Sequence, residues 1–260
     1  MHILTSPQVT VLARQEFLGH PGIQWQSDSE VAGEALAEFA GRLCYLSFGE
    51  DAGISGGHRS IKGRTSNADY VENVLKVKHG SVLEHATWSL CLEGISRSLT
   101  HELVRHRAGF AFSQLSQRYV DESEVGFVLP PEIKPDTPAY TIWEKSCIRA
   151  LDEYRELLDA IEGQVAHIES KTLRRKRARE TARAVLPNCT ETKIVVTGNA
   201  RAWRHFVELR GAPGADAEIR RLAFAVHDVL VQESANLFGD LKRVTGEDGI
   251  EYLYTENSKV

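Results

Sequence analysis

The feature that most limits how this chain folds is an apolar stripe between Ala139 and Glu162. Trp143, Cys147, Ala150, Leu151, Tyr154, Leu158 and Ile161 return at helical spacing, so one face of that helix must be buried along its length. A second long helix is expected from about Glu169 to Val185. Pro187 ends it, because proline cannot continue the backbone ladder. Pro130, Pro131, Pro135 and Pro138 punctuate a linker ahead of the pair.

Around this pair the elements come in irregular order. Val9–Leu12 alternate as a first strand. From Asp28 to Cys44, behind a Ser/Asp start signal, Val31, Leu36, Phe39, Ala40 and Leu43 recur at helical spacing. Gly49–Arg64 carries five glycines and reads as a mobile loop. Ser66 or Asn67 caps a short helix through Val77, with Gly80 as its stop. A strand is expected over Trp88–Ile95 and a helix over Ser98–Arg107, followed by a loop and a compact polar segment at Ser113–Tyr119. Thr192–Thr197 has the β-branched content of a strand. Helices follow over Asn199–Leu209 and Ala217–Leu237, the second with Ile219, Leu222, Ala223, Val226, Val229 and Leu230 facing inward. Strands and helices do not alternate regularly. The expected class is therefore α+β, a mixed or antiparallel sheet flanked by long helices, in a single domain over residues 1–260.

Charge and cysteine usage exclude several functions. A net charge of −5 over 260 residues argues against wholesale coating of nucleic acid, so any anion site is local. Cys44, Cys91, Cys147 and Cys189 are far apart and form no CxxC pair. That gives no zinc knuckle and no disulfide framework, and their apolar surroundings read as core. Met1–Arg14 lacks the basic start and apolar core of a signal peptide, and no apolar run reaches membrane-spanning length. The expected location is cytoplasmic, with no membrane partner.

The chemistry concentrates in Thr100–Tyr119. His101-Glu102-Leu103-Val104 opens like a zinc-hydrolase helix, but that site needs histidines at i and i+4, and position i+4 is Arg105. On a continuous helix His106 is rotated about 140° from His101, so no metal site is expected. What remains is Arg105, His106 and Arg107 at a helix end, with Arg118 returning after a short loop. Guanidinium offers paired donors that match phosphate and carboxylate edges, and Gln114, Ser116 and Gln117 add neutral groups able to read a base or sugar. The alternative is a solvated charged turn. Ser116 lies in no nucleophile motif and reads as a substrate-positioning hydroxyl.

Three further stretches belong here. Lys78–His85 places His79, Ser81 and His85 across a helix stop. Lys171–Arg183 is strongly basic; most of it reads as a solvated face or, in a rival reading, a polynucleotide-binding helix. Lys176, Glu180 and Arg183 share one side that can face a ligand. Asn199, Trp203, Phe206 and Arg210 share a helical face, and an arginine ending an aromatic stripe needs a polar partner if it is buried.

Arg105-His106-Arg107 followed by Ser116-Gln117-Arg118 resembles the signature of flavin-dependent thymidylate synthases. His79-Gly80-Ser81, Leu83-Glu84-His85, Ile95-Ser96-Arg97, His101 to Val104, Glu180 to Pro187, Asn199-Ala200-Arg201 and Leu209-Arg210 appear in the family's order. The resemblance implies a homotetramer with shared sites, FAD as cofactor, and NADPH or NADH and methylenetetrahydrofolate as co-substrates. By it, Arg105, His106, Arg107, Ser81, Gln114, Asn199, Arg201, His205 and His79 hold the flavin. The dUMP site draws on Glu102, Leu103, Val104, Arg105, Gln114, Leu115, Ser116, Gln117, Arg118, Arg183 and Arg210. Glu180 matches a family position lining the flavin pocket.

The residues suit those roles. Flavin diphosphate and a nucleotide monophosphate are anions, and the motif is a cationic cluster in an acidic protein. Uracil C5 attacks carbon poorly until the ring ionises, and a guanidinium at the pyrimidine edge favours the ionised form. Arg210 is the candidate, and no enzyme nucleophile is expected. The sequence departs from the family pattern twice: eight residues, Ala108 to Leu115, separate the two halves of the motif where seven are usual, and Gly214 replaces a common histidine.

Overall fold

The computed structural model describes residues 1–49, 52–53 and 64–260. Most of the glycine-rich stretch expected as a loop lies outside the described residues. The elements run β1 (Ile3–Leu4), β2 (Gln8–Arg14), α1 (Ala32–Tyr45), α2 (Asn67–Lys76), a 3-10 turn (Gly80–His85), β3 (Thr87–Ser96), α3 (Arg97–Leu103), β4 (Phe110–Gln114) and β5 (Phe127–Val128). They continue with α4 (Pro138–Gln164), α5 (Lys171–Ala182), a short 3-10 turn (Arg183–Val185), β6 (Glu191–Asn199), α6 (Ala200–Arg210), α7 (Ala217–Glu233), α8 (Ala235–Phe238), β7 (Lys242–Thr245) and β8 (Glu251–Tyr254). Strands β2, β3, β6 and β4 lie side by side in that order; β1 pairs parallel with β5, and β7 antiparallel with β8. The fold is α+β, as expected.

The chain divides into two compact units. Unit 1 comprises Met1–Gln8, Leu92–Arg105 and Ser113–Val195; unit 2 comprises Val9–Cys91, His106–Phe112 and Val196–Val260. In unit 1, α4 packs along α5, and the expected stripe forms the seam. Tyr154 and Leu158 meet Ala178 and Ala182, and Cys147 and Leu151 meet Phe127. Small alanines on α5 let the two helices approach closely. In unit 2 the core is built on large rings. Trp88, Trp203, Phe206 and Phe238 are each at most 2% exposed, and Trp88 meets Phe238 edge-on at 5.6 Å.

Several boundaries differ from the sequence reading. Helix α1 buries Glu34, Glu38 and Arg42, whereas Leu36, Phe39 and Ala40 are only half-buried and Leu43 is exposed. The buried charges satisfy one another: Arg42 donates to Glu38 at 2.7 Å, and Glu38 also accepts from Ser27 and Asn67. Helix α2 ends at Lys76 and the left-handed turn falls on Lys78, not Gly80, which instead opens the 3-10 turn. The expected helix over Ala217–Leu237 breaks at Ser234, whose extended backbone frees its hydroxyl to bond Glu34 at 2.6 Å. Val229 is half-buried, and His227 takes an inward place. Of the cysteines, only Cys147 is fully buried; Cys44 is exposed.

Candidate active site

Unit 1 gathers most of the residues expected at the substrate. Helix α3 starts at Arg97 because Ser96 caps it, its hydroxyl accepting the Leu99 N–H at 3.0 Å. It ends at Leu103, so the expected helix over Ser98–Arg107 is shorter than its pattern, and Arg105 and His106 lie beyond it. The helical argument that separated His101 from His106 therefore does not apply to the folded chain. Leu103 is fully buried, which leaves its backbone as the part able to meet a ligand, while Arg105 is exposed.

The second half of the motif follows β4. The Gln114 side-chain amide donates to Thr100 at 3.0 Å and to Thr192 at 3.3 Å, leaving its carbonyl oxygen to read a ligand. Leu115 is fixed by its N–H to Lys193 at 2.9 Å, and its carbonyl accepts from Arg97 at 3.4 Å. The Ser116 carbonyl accepts from Tyr119 and Val120, while its hydroxyl accepts only a long 3.4 Å bond from the Arg118 N–H. Arg118 donates to Glu180 at 3.0 Å, and Arg177 holds the other oxygen of that carboxylate at 2.9 Å.

A cavity of about 350 Å³ opens among Arg97, His101, Gln117, Glu180, Arg183, Pro187 and Asn188. Gln117 is buried, and its amide nitrogen has no hydrogen-bond partner. Two guanidiniums share the walls. Burial lowers the Arg97 pKa, Glu122 opposes that shift, and Arg183 adds to it. With the Glu180 carboxylate already paired to Arg118 and Arg177, the cavity offers an unused donor beside two cations, a set able to receive the acceptor oxygens of an anion. Of the trio expected on one face of α5, Glu180 and Arg183 reach this cavity, whereas Lys176 stands over the Tyr119 ring at 5.4 Å.

Unit 2 gathers most of the residues expected at the flavin. Gly109 takes φ +74° in the turn after the motif, and a Cβ there would press within 3 Å of the Asn199 amide nitrogen and the Ala202 Cβ. This turn, together with β4, accommodates the eight-residue spacing. Asn199 caps α6, its side-chain oxygen accepting the Ala202 N–H at 2.8 Å. Helix α6 packs against the 3-10 turn that carries Ser81, and Arg201 bridges to Glu84 at 2.6 Å. His79, Ser81, Arg107, Arg201 and His205 are exposed.

Beneath them, the aromatic stripe of α6 ends as expected. Trp203 and Phe206 are fully buried, and Arg210 donates its Nε–H to His106 Nε2 at 2.9 Å. His106 is therefore the neutral tautomer with its proton on Nδ1. Its pKa is pushed down to about 4 by burial first, then by Arg210 and His205. Phe206 and Phe110 meet the imidazole edge-on at 5.4 Å and 6.5 Å. The polar partner that a stripe-ending arginine requires is thus the central histidine of the motif.

Sequence reasoning left out Arg97 and His101 as cavity residues, and Glu122 altogether. Arg97 stands in the family-ordered stretch Ile95-Ser96-Arg97 with no role attached, and an arginine in the first turn of a helix, where it opposes the helix dipole, is a second signal. It also missed Arg204, which is buried, donates to Leu237, and pairs with both oxygens of Asp240 at 2.5 and 2.8 Å to anchor α6.

The family model described as "Thymidylate synthase complementing protein" matches residues 28–234. The flavin-dependent thymidylate synthase of Mycolicibacterium vanbaalenii is 46% identical over 244 residues, covering 94% of this chain and 93% of that protein. Its counterpart from Mycobacteroides abscessus is 44% identical over 245 residues, with the same coverage. Among solved structures, the UMP/dUMP methylase PolB from Streptomyces cacaoi, bound with 5-Br dUMP, shares the fold. Its TM-score is 0.62 at 21% identity, covering 92% of this chain and 96% of that one. This chain belongs to the family of flavin-dependent thymidylate synthases, FAD-dependent methyltransferases that use NADPH and methylenetetrahydrofolate as co-substrates.

Proposed function

We propose that the chain converts dUMP to dTMP, with methylenetetrahydrofolate as carbon donor and pyridine-nucleotide-reduced FAD as hydride source, and with no enzyme nucleophile. The observation that carries this reading is the cavity shared by Arg97, Arg183 and the unpaired Gln117 amide. Its donors suit the phosphate of a nucleotide.

The residues of unit 2 fit a flavin by their donor chemistry. Arg107, Arg201, Ser81 and Asn199 supply the guanidinium, hydroxyl and amide groups that an anionic diphosphate takes, with His79 and His205 beside them. When bound, the flavin supplies hydride. The protein's own part is position and field. Arg210, bonded through its Nε–H to a neutral histidine, favours the pyrimidine ionised at N3. Gln114 presents its carbonyl oxygen, and Ser116 a hydroxyl that is weakly engaged and has no base on it.

Further parts of the reading concern the whole protein. The chain acts as one domain, since the family match runs through both units. It assembles as a homotetramer in the cytoplasm; among the described residues no helix is long and apolar enough to cross a membrane. The test is direct: purified protein should be yellow and should release dTMP only when dUMP, methylenetetrahydrofolate and a reduced pyridine nucleotide are all supplied. A colourless protein that binds polynucleotide in a salt-dependent way would overturn the reading in favour of the basic helix.

A further inference from the structure

Cys147 and Cys189 are 42 residues apart in sequence, yet their sulfurs lie 3.7 Å apart. Cys147 projects from α4 into the cluster of Phe127 and Leu151, where it is 1% exposed. Cys189 is half-buried and sits in the turn leading to β6. A hydrogen bond to Cys189, then burial, raises the Cys147 pKa. Cys189 is the more accessible of the two and so the sulfur that a peroxide reaches first, with Cys147 at 3.7 Å to resolve it.

The turn carrying Cys189 is part of the substrate cavity. Pro187 and Asn188 line it, and the Asn188 and Thr190 carbonyls accept the N–H groups of Ser98 and Arg97, each at 3.0 Å. A disulfide brings two sulfurs to about 2.05 Å, so closing the pair draws the sulfurs together by nearly half their separation. Helix α4 is long and seated along its whole stripe. The short turn has fewer anchors, and its two backbone bonds tie it to Arg97 and the cavity rim.

We propose that Cys147 and Cys189 form a dithiol modification site that a peroxide converts to a disulfide, and that this conversion weakens nucleotide binding in the adjoining cavity. The second half rests on the function proposed above; the first does not. The Cys189 thiolate attacks the peroxide O–O bond, giving a sulfenic acid and, with one proton, water. Cys147 then displaces the hydroxyl from that sulfur, forming the S–S bond and releasing a second water. Two thiols and one hydrogen peroxide become one disulfide and two waters, the sulfurs being oxidised and the peroxide reduced.

The experiment uses the full chain carrying Cys44→Ser, which removes an exposed thiol. Treat it with hydrogen peroxide, alkylate, and map the peptides without reductant. A linked pair containing Cys147 and Cys189 is expected, with the KM for dUMP raised several-fold and restored by dithiothreitol; adding Cys189→Ala should abolish both effects. Sulfinic acid on Cys189 with Cys147 still alkylatable would overturn the modification site. A linked pair with unchanged KM would overturn its effect on binding. A linked pair in a protein with no dTMP synthesis before treatment would confirm the modification and instead defeat the function on which its effect depends.

Discussion

Glu122 in unit 1 and His106 in unit 2 are both buried titratable groups, and burial drives them in opposite directions. Glu122 is 3% exposed, and one carboxyl oxygen has no partner. Burial pushes its pKa up to about 7; Arg97 resists, and Asp121 and Glu191 reinforce the rise. His106 is 9% exposed and pushed down to about 4. Each group prefers its neutral form, since desolvation penalises charge whatever its sign. The consequences for stability run opposite ways. Between about pH 4.5 and 7 the unfolded chain releases the Glu122 proton that the folded chain keeps, so this term falls as pH rises. Between about pH 4 and 6.5 the unfolded chain binds a proton that folded His106 refuses, so that term rises with pH. Each spans about 3 kcal/mol at 1.36 kcal/mol per pKa unit, and over their shared window they cancel.

The two units use these buried groups differently. Unit 2 holds a neutral histidine so that it can carry a fixed cation. Unit 1 holds two guanidiniums around a cavity and keeps a carboxyl in reserve near one of them. The largest test of this contrast is Arg210→Ala. We expect dTMP formation to fall on the order of 10³-fold while flavin absorbance is retained, the scale for removing one preorganised donor. The His106 pKa should rise at the same time, since Arg210 is the second cause of its depression; imidazole NMR shifts across pH 3–7 would read it. Flavin lost along with activity would place Arg210 on the cofactor side.

Next in size is Glu122→Gln, which keeps the shape of the side chain and removes its titration. Unfolding free energy from denaturant melts should increase by up to about 3 kcal/mol at pH 7.5, where wild type holds a largely ionised buried carboxyl. At pH 4.5 the two proteins should match. Between pH 4.5 and 6.5 the variant should show the rising slope of His106 that Glu122 masks. A variant whose stability stays flat across that window would mean His106 contributes no such term.

Arg183→Ala comes third. It takes one of the two cations from the cavity, and a hydrogen bond to a charged group contributes roughly 1.5–3 kcal/mol. The KM for dUMP should rise by roughly 10- to 100-fold with kcat little changed, and binding of deoxyuridine, which lacks the phosphate, should be nearly unaffected. Equal losses for both ligands would show that Arg183 meets the base or sugar instead.

How much of this the sequence revealed follows the same contrast. The stripe of α4 was legible because its partners, Ala178 and Ala182, are apolar too, so periodicity and burial agree. In α1 they disagree. Glu34 is buried because Ser29 on one side and Ser234 and Asn236, about 200 residues away, bond it, and no local pattern announces partners at that distance. The motif arginines and histidines were found because their spacing forms a pattern. The pairing of His106 with Arg210, 104 residues apart, was not. Glu122 was invisible, since a glutamate after an aspartate in a polar turn reads as solvated surface until Tyr154 and Arg97 close over it.

The smallest effect separates the two units at the level of a single hydroxyl. Ser116 belongs to unit 1, where Gln114 and Arg118 are firmly held but its own hydroxyl is not: it accepts one bond at 3.4 Å, and no base is bonded to it. A nucleophilic serine needs a general base within hydrogen-bond reach, about 2.6–3.2 Å, and an orienting group behind it. A positioning hydroxyl needs neither. Ser116→Ala should therefore cost only a few-fold in kcat/KM for dUMP, against the thousand-fold expected of Arg210, and the residual turnover should keep the wild-type pH profile. Complete inactivity with dUMP binding intact would reverse the assignment, because a few-fold contributor cannot be the group on which the carbon is carried. The two variants together rank a weakly held neutral group against a rigidly held charged one, which is the ranking expected when catalysis rests on a preorganised field rather than on covalent attachment.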